Sequence, residues 1–194
     1  TGGAGYIGSV FVSQLLEEGY NVSVLDNFMY HQNSLLDVCY RQNLNIIVGD
    51  VRDEKRLKSE IQKHDIIVPL AAIVGAPACD MDQSLSTAIN QTQIENIAQW
   101  VSKDQMILYP VTNSGYGIGQ KGIFCTEETP LDPISHYGRT KVSGEKALLE
   151  MGNTVTFRLA TVFGTSPRIR MDLLVNDFVY RAYKDRFIVL FESH

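Results

Sequence analysis

The 194-residue chain has no basic run, and its 17 lysines and arginines are outnumbered by 22 acids, for a net charge of −5. A weakly acidic chain without a basic stripe is a poor ligand for nucleic acid or an anionic membrane surface. A local phosphate site stays open to it, because backbone amides and one or two arginines can hold an anion inside a negative protein. No apolar run approaches the ~20 residues that span a bilayer, and no signal-peptide pattern is visible, so no membrane partner is expected. Cysteine is scarce: Cys39, Cys79 and Cys125 are far apart, odd in number and without a CxxC spacing. That excludes a disulfide framework and points to a reducing, cytoplasmic setting. His31, His64, His136 and His194 show no metal-ligand spacing, so no metal is expected. An initiator methionine and a strand before the first glycines are also missing, and we read the chain as a fragment. Alone, it is expected to be unstable or inactive.

What is present is ordinary for a soluble domain: 44% apolar and 20% charged residues. Short β-branched runs alternate with amphipathic stretches. Strands are predicted at Asn21–Leu25, Leu44–Val48, Asp65–Leu70, Met106–Val111, Thr154–Leu159 and Phe187–Leu190, nearly continuous in apolar residues as if buried on both faces. Helices are predicted at Gly8–Glu18, Asp53–Lys63 with Asp53 as N-cap, Ser84–Ser102, His136–Glu150 and Asp172–Lys184. This alternation predicts an α/β fold with a doubly wound parallel sheet. No linker-like stretch interrupts it before about residue 165.

The opening Gly2-Gly3-Ala4-Gly5-Tyr6-Ile7-Gly8 carries a GxxGxxG spacing at the start of a helix. Glycine there permits a tight turn and lets a pyrophosphate approach the backbone, while the helix N-terminus offers free amides. Asp26, with Asn27 beside it, ends the next strand 18 residues after Gly8. A carboxylate at that place accepts hydrogen bonds from the ribose hydroxyls of NAD and repels the 2′-phosphate of NADP. Asp50-Val51 closes the second strand, where an acid can bond adenine and an apolar side chain can pack on it. Leu70-Ala71-Ala72 closes the third, with side chains small enough for a cofactor to lie along the backbone.

Tyr137-Gly138-Arg139-Thr140-Lys141 places a phenol and an amine one helical turn apart on one face. A free tyrosine, with a pKa of about 10, is a poor base. A nearby ammonium and a positive nicotinamide ring both favour phenolate and are expected to bring Tyr137 toward the working range. Thr112 ends the strand Met106–Val111, at the edge where parallel sheets place ligands. Its hydroxyl can bond the reacting oxygen, with Ser114 as an alternative donor.

Together with Asn90 and Arg158-Leu159-Ala160-Thr161-Val162-Phe163-Gly164, these motifs resemble the extended short-chain dehydrogenases, which include UDP-galactose 4-epimerase and NAD-dependent sugar epimerase/dehydratases. The resemblance runs from residue 1 to about 190. It implies a Rossmann-type NAD-binding domain over residues 1–165 and the start of a truncated substrate-binding region over 166–194. The first strand and most of the small C-terminal domain would then be missing. It implies NAD as cofactor, a nucleotide sugar as substrate, and a homodimer through the helices near Ser84–Ser102 and His136–Glu150. Thr112, Tyr137 and Lys141 match the catalytic triad. Asn90, Thr161 and Val162 match cofactor-side positions. On the substrate side, Arg168 and Arg170 are candidate partners for a phosphate, Asn176 on the following helix is a candidate for the pyrophosphate, and Ser114 is a further candidate. Family 4,6-dehydratases carry an acid two residues after the catalytic threonine; here Asn113 and Ser114 follow Thr112. The resemblance therefore favours C4 epimerisation through a transient 4-keto sugar. An NAD-linked dehydrogenase or reductase, a 4,6-dehydratase and a non-catalytic NAD-binding protein are the alternatives.

Overall fold

The computed structural model describes residues 1–119, 122 and 124–190, so His194 lies outside the described residues. The glycine turn opens α1 (Tyr6–Glu17), which buries Val12 and Leu16. Strands β1 (Val22–Asp26) and β2 (Leu44–Val48) follow. Helix α2 (Glu54–Ile61) starts at Asp53, whose carboxylate accepts from Arg56 N at 3.1 Å, an N-cap as the sequence predicts. After β3 (Ile66–Ile67) come α3 (Ala76–Met81), α4 (Gln83–Thr87), a π-helical turn at Ala88–Thr92, and α5 (Gln93–Trp100). Strand β4 (Met106–Thr112), a 3-10 turn at Asn113–Tyr116, α6 (His136–Leu149), β5 (Thr154–Leu159) and α7 (Leu174–Lys184) complete the order.

Every strand pairing is parallel. β1 pairs with β2 in register from Val22↔Leu44 to Asp26↔Val48, and β4 lies between β3 and β5. In place of one continuous doubly wound sheet, the described residues form a two-stranded and a three-stranded sheet. The Thr1-Gly2 backbone spans the gap. Thr1 N donates to Val68 O at 2.9 Å and Leu70 N donates to Thr1 O at 3.1 Å; on the other side Gly2 N donates to Leu25 O at 2.9 Å. Thr1-Gly2 forms no strand of its own, yet its backbone bonds hold the sheets edge to edge. They also explain why β3 is shorter than expected: past Ile67, the backbone bonds of this segment go to Thr1.

β1 carries core on both faces. Val24 packs with Ala4, Val12, Leu16 and Leu35, while Leu25 packs in the larger cluster of Leu57, Ile67, Ile94, Ile97, Ile107, Tyr109 and Leu148. Truncating Leu148, which is fully buried, to alanine would cost about 2–5 kcal/mol. The expectation of two-sided burial fails for the other sheet. Ile66, Met106, Val155 and Phe157 share one face by register and are each more than 40% exposed. Apolar sequence marks a face fit for burial; the cover has to come from another element, and α5 and α6 pack on the opposite side.

Three further differences have local causes. The single helix expected at Ser84–Ser102 is broken by the π turn, where the extra residue rotates Asn90 inward: its Oδ1 accepts from Ile73 N and its Nδ2 donates to Ile73 O, each at 2.9 Å. Helix α3, absent from the sequence reading, is short and hidden behind Gly75 (φ +91°) and Pro77 at its start. Phe187–Leu190 forms no strand and is largely exposed, since a strand needs a neighbour to receive its ladder bonds. No helix among the described residues is long and apolar enough to cross a membrane.

Candidate active site

A cavity of about 550 Å³ runs along the C-terminal ends of the strands. Its floor at one end is the glycine turn. Gly2 has φ +69°, and a Cβ there would stand 2.5 Å from Ala71 N; a Cβ on Gly8 would collide with the Gly2 carbonyl oxygen. Only glycine allows the turn to press against the third strand's end while α1 starts directly behind it. Asp26 ties the turn down: Oδ2 accepts from Ala4 N at 3.0 Å and Oδ1 from Phe28 N at 2.9 Å. A carboxylate has about four acceptor directions, so capacity remains for hydroxyl donors in the cavity that Asp26 lines. Gly5, Tyr6, Ile7, Asn27 and Val51 border the same end. Leu70, Ala71 and Ala72 form the middle of the wall, with Thr161 and Val162 opposite. The glycine cradle, the acid and the length of the cleft together fit a dinucleotide.

Thr112, Ser114, Tyr137 and Lys141 close the other end. Ser135 caps α6 by accepting from Gly138 N at 3.0 Å, which sets Tyr137 in the first turn and Lys141 one turn on. Thr112 ends β4, where its Oγ1 accepts from Ser114 N and donates to Ser114 Oγ, both at 3.1 Å. Ser114 thus reaches the cavity through the 3-10 turn, not by continued strand alternation. His136, one residue before Tyr137, meets Thr87 Oγ1 at 3.0 Å and pins α6 to α4.

The electrostatics run against one expectation. Burial pushes the Tyr137 phenol up, and Cys79 adds to the rise; the Thr112 hydroxyl and the Arg170 charge only partly offset it. Burial also pulls Lys141 down to about 7, with Glu145 opposing. Desolvation penalises both charged forms, so burial favours neither phenolate nor ammonium here. Thr112 and Arg170 alone do not bring Tyr137 down to the range that the motif predicts.

Three sequence-nominated residues lie outside the cavity lining. Asp50 is gripped by Arg52 through Nε at 2.9 Å and Nη2 at 2.7 Å, which holds its carboxyl down at about 2. A bidentate guanidinium occupies the oxygens that would face adenine. Asn90 is spent on Ile73, behind the wall. Asn176 braces α7 on the glycine turn: Nδ2 donates to Tyr6 Oη at 3.1 Å and to Arg170 O at 2.9 Å, and Oδ1 accepts from Gly164 N at 2.9 Å. Arg168 does line the cavity, with its guanidinium 4.2 Å from the Tyr30 ring centroid. Arg170, nominated together with Arg168 for a substrate phosphate, also lines the cavity, paired to Asp172 (Nε to Oδ1 3.1 Å), whereas sequence reasoning missed Tyr30. It missed Tyr109 as well, buried beneath Lys141. A phenol in a strand whose i±2 neighbours, Ile107 and Val111, are core aliphatics was the signal for Tyr109.

A parallel α/β cleft with a glycine-turn anion cradle at one end and a Tyr-Lys pair at the other defines a dinucleotide-dependent class. Comparison narrows it. The model of the NAD dependent epimerase/dehydratase family matches residues 1–193, and the chain belongs to this family. A bifunctional UDP-glucose 4-epimerase and UDP-xylose 4-epimerase of Pisum sativum is 32% identical over 73% of this chain and 43% of its own length. A UDP-glucose 4-epimerase of Lactobacillus helveticus is 32% identical over 76% of this chain and 44% of its own. The enzyme WbmG of Bordetella bronchiseptica, solved in complex with NAD and UDP, superposes with a TM-score of 0.78 at 28% identity, over 95% of this chain and 58% of its own. The chain thus spans roughly half the length of these relatives.

Proposed function

We propose that the intact protein is an NAD-dependent nucleotide-sugar 4-epimerase. The supporting observation is the lining of the cavity at the Tyr137 end. Thr112, Ser114, Tyr137 and Lys141 meet there, and no acid stands among them. The acids on the lining are Asp26, at the glycine end, and Asp172, engaged by Arg170. Dehydration across C5 and C6 needs a free acid or base beside the sugar, and the positions after Thr112 hold an amide and a hydroxyl. Asp26 favours NAD over NADP.

When bound, NAD would supply a hydride acceptor that can give the hydride back, and a positive ring that joins Lys141 in favouring Tyr137 phenolate. Gly2, Gly5, Tyr6, Ile7 and Gly8 would hold its pyrophosphate and Asp26 and Asn27 its ribose. Val51, Leu70, Ala71 and Ala72 would line its path; Thr161 and Val162 would flank the reactive end. Tyr137 Oη removes and returns the proton on the sugar's C4 oxygen, and Thr112 Oγ1 bonds that oxygen while charge develops on it. Lys141 stabilises the phenolate. Ser114 bonds the sugar. Arg168, with Arg170, is placed to meet a substrate phosphate. Asp50, Asn90 and Asn176 act through position: at the rim, behind the wall and on α7. The cofactor-binding unit covers residues 1–165, residues 166–194 begin the substrate side, and the protein works as a cytoplasmic homodimer through α5 and α6.

The test is to give the intact protein a panel of UDP-, GDP-, CDP- and dTDP-sugars with NAD, following inversion at C4 by NMR and reduced nicotinamide by absorbance. Inversion without net reduction is the expected outcome. Stoichiometric build-up of NADH would establish the dehydrogenase reading instead.

A further inference from the structure

Lys141 is buried at 4% exposure. Its Nζ lies 4.1 Å from the centroid of the Tyr109 ring, itself fully buried on β4. A cation over an aromatic face within about 6 Å is attracted by the ring quadrupole, more so where water is excluded. The other groups around it offer less. Glu145, one turn further along α6, is committed to β5: its Oε1 accepts from Thr156 Oγ1 at 2.8 Å and from Arg158 Nε at 3.0 Å. Burial disfavours a phenolate at Tyr137, one turn back on α6. Cys79 of α3 and Arg170 act on Tyr137.

The fold makes room for this contact. A Cβ on Gly144 would stand 3.1 Å from Tyr109 Oη, so a glycine in α6 lets the phenol slide beneath the helix. The hydroxyl itself is buried without a hydrogen-bond partner. Leaving a buried donor unpaired is unfavourable, and nothing at the Tyr109 hydroxyl repays it. The working part of this side chain is the ring.

We infer that Tyr109 is a positioning residue for Lys141, its ring face holding the amine in its charged form and aimed at the Tyr137 end of the cavity. This rests on the proposed function for its catalytic meaning, since the charged amine is what favours Tyr137 phenolate. The physical claim concerns Lys141 alone.

The experiment titrates Lys141 in the intact protein by NMR of lysine labelled with ¹³C at Cε, with the signal assigned through Lys141→Arg. In Tyr109→Leu the midpoint should fall by about 1 pH unit, the size of a buried cation–π contact. Tyr109→Phe, which keeps the ring, should titrate like the parent and melt at a higher temperature. Tyr109→Met, unbranched and without a π face, serves in place of the leucine variant should that one not fold. The alkaline limb of kcat against pH should move with the midpoint. An unchanged midpoint without the ring, or a fall in Tyr109→Phe as large as in Tyr109→Leu, overturns the inference. The titration decides this whatever the turnover shows; absence of C4 inversion in the parent would remove the epimerase reading alone.

Discussion

At the glycine end of the cleft, recognition is built from backbone: the glycine turn lets a ligand approach the first amides of α1, and Asp26 on the lining is tied to Ala4 N and Phe28 N. At the Tyr137 end it is built from side chains, with Tyr137 and Lys141 pushed toward neutrality by burial and Thr112 and Ser114 bonded to each other. The first end depends on close approach and tolerates no added atom. The second depends on charge and tolerates changes of shape better than changes of ionisation. Substitutions should therefore fail differently at the two ends: through loss of binding and stability at the first, through loss of rate at the second.

The sharpest break should come at the chemical end. Tyr137→Phe should lower kcat by about 10²- to 10⁴-fold, the usual contribution of a positioned acid–base group, with dinucleotide affinity retained in a calorimetric titration. Unchanged turnover would remove Tyr137 from its role. At the glycine end, Gly8→Ala should abolish dinucleotide binding and destabilise the fold by about 1–3 kcal/mol, because the added carbon collides with the Gly2 carbonyl oxygen. Gly19→Ala is the control: φ is +86° there but the surroundings are open, so the cost should be only about 1 kcal/mol, with binding intact. Equal binding by the two variants in denaturant-corrected assays would show that close packing is not what the turn provides.

The Tyr137 end also carries a pH dependence, set by its buried amine. Lys141 falls from 10.5 to about 7 on burial, so between those values the unfolded chain binds more protons than the folded one, and stability should rise with pH across the window. Below about 7 the penalty of burying the charge is fully present and the curve should level off. Denaturant midpoints from pH 7 to 9 should climb in the parent and flatten in Lys141→Met. A parallel slope in both would mean that the amine is solvated in the native state.

Much of this was legible beforehand because it follows from local rules. β-branched runs such as Leu44–Val48 and Thr154–Leu159 match their strands end for end, and Asp53 caps α2 as its position before an amphipathic stretch implies. The residues gathered on the cavity come from turns and strand ends whose chemistry is written in a few adjacent letters. Asp50, Asn90 and Asn176 lie off the cavity lining, each bonded to a partner that is near in space and unmarked in pattern: Arg52, the Ile73 backbone and Tyr6. The π turn that aims Asn90 leaves only one faint mark, the five-residue step from buried Ile89 to buried Ile94 where a regular helix uses three or four.

The amino-acid order by itself determined the alternation of strand and helix, the glycine turn, the acid at Asp26 and the one-turn spacing of Tyr137 and Lys141, all set by backbone sterics and helical period. Tertiary structure alone decided which face of β3–β5 stays open, that Thr1-Gly2 links two sheets, and that Lys141 rests on the ring of Tyr109. Those outcomes depend on which surfaces meet across long stretches of chain and on how much water is excluded when they do, and neither quantity is carried by any short run of sequence.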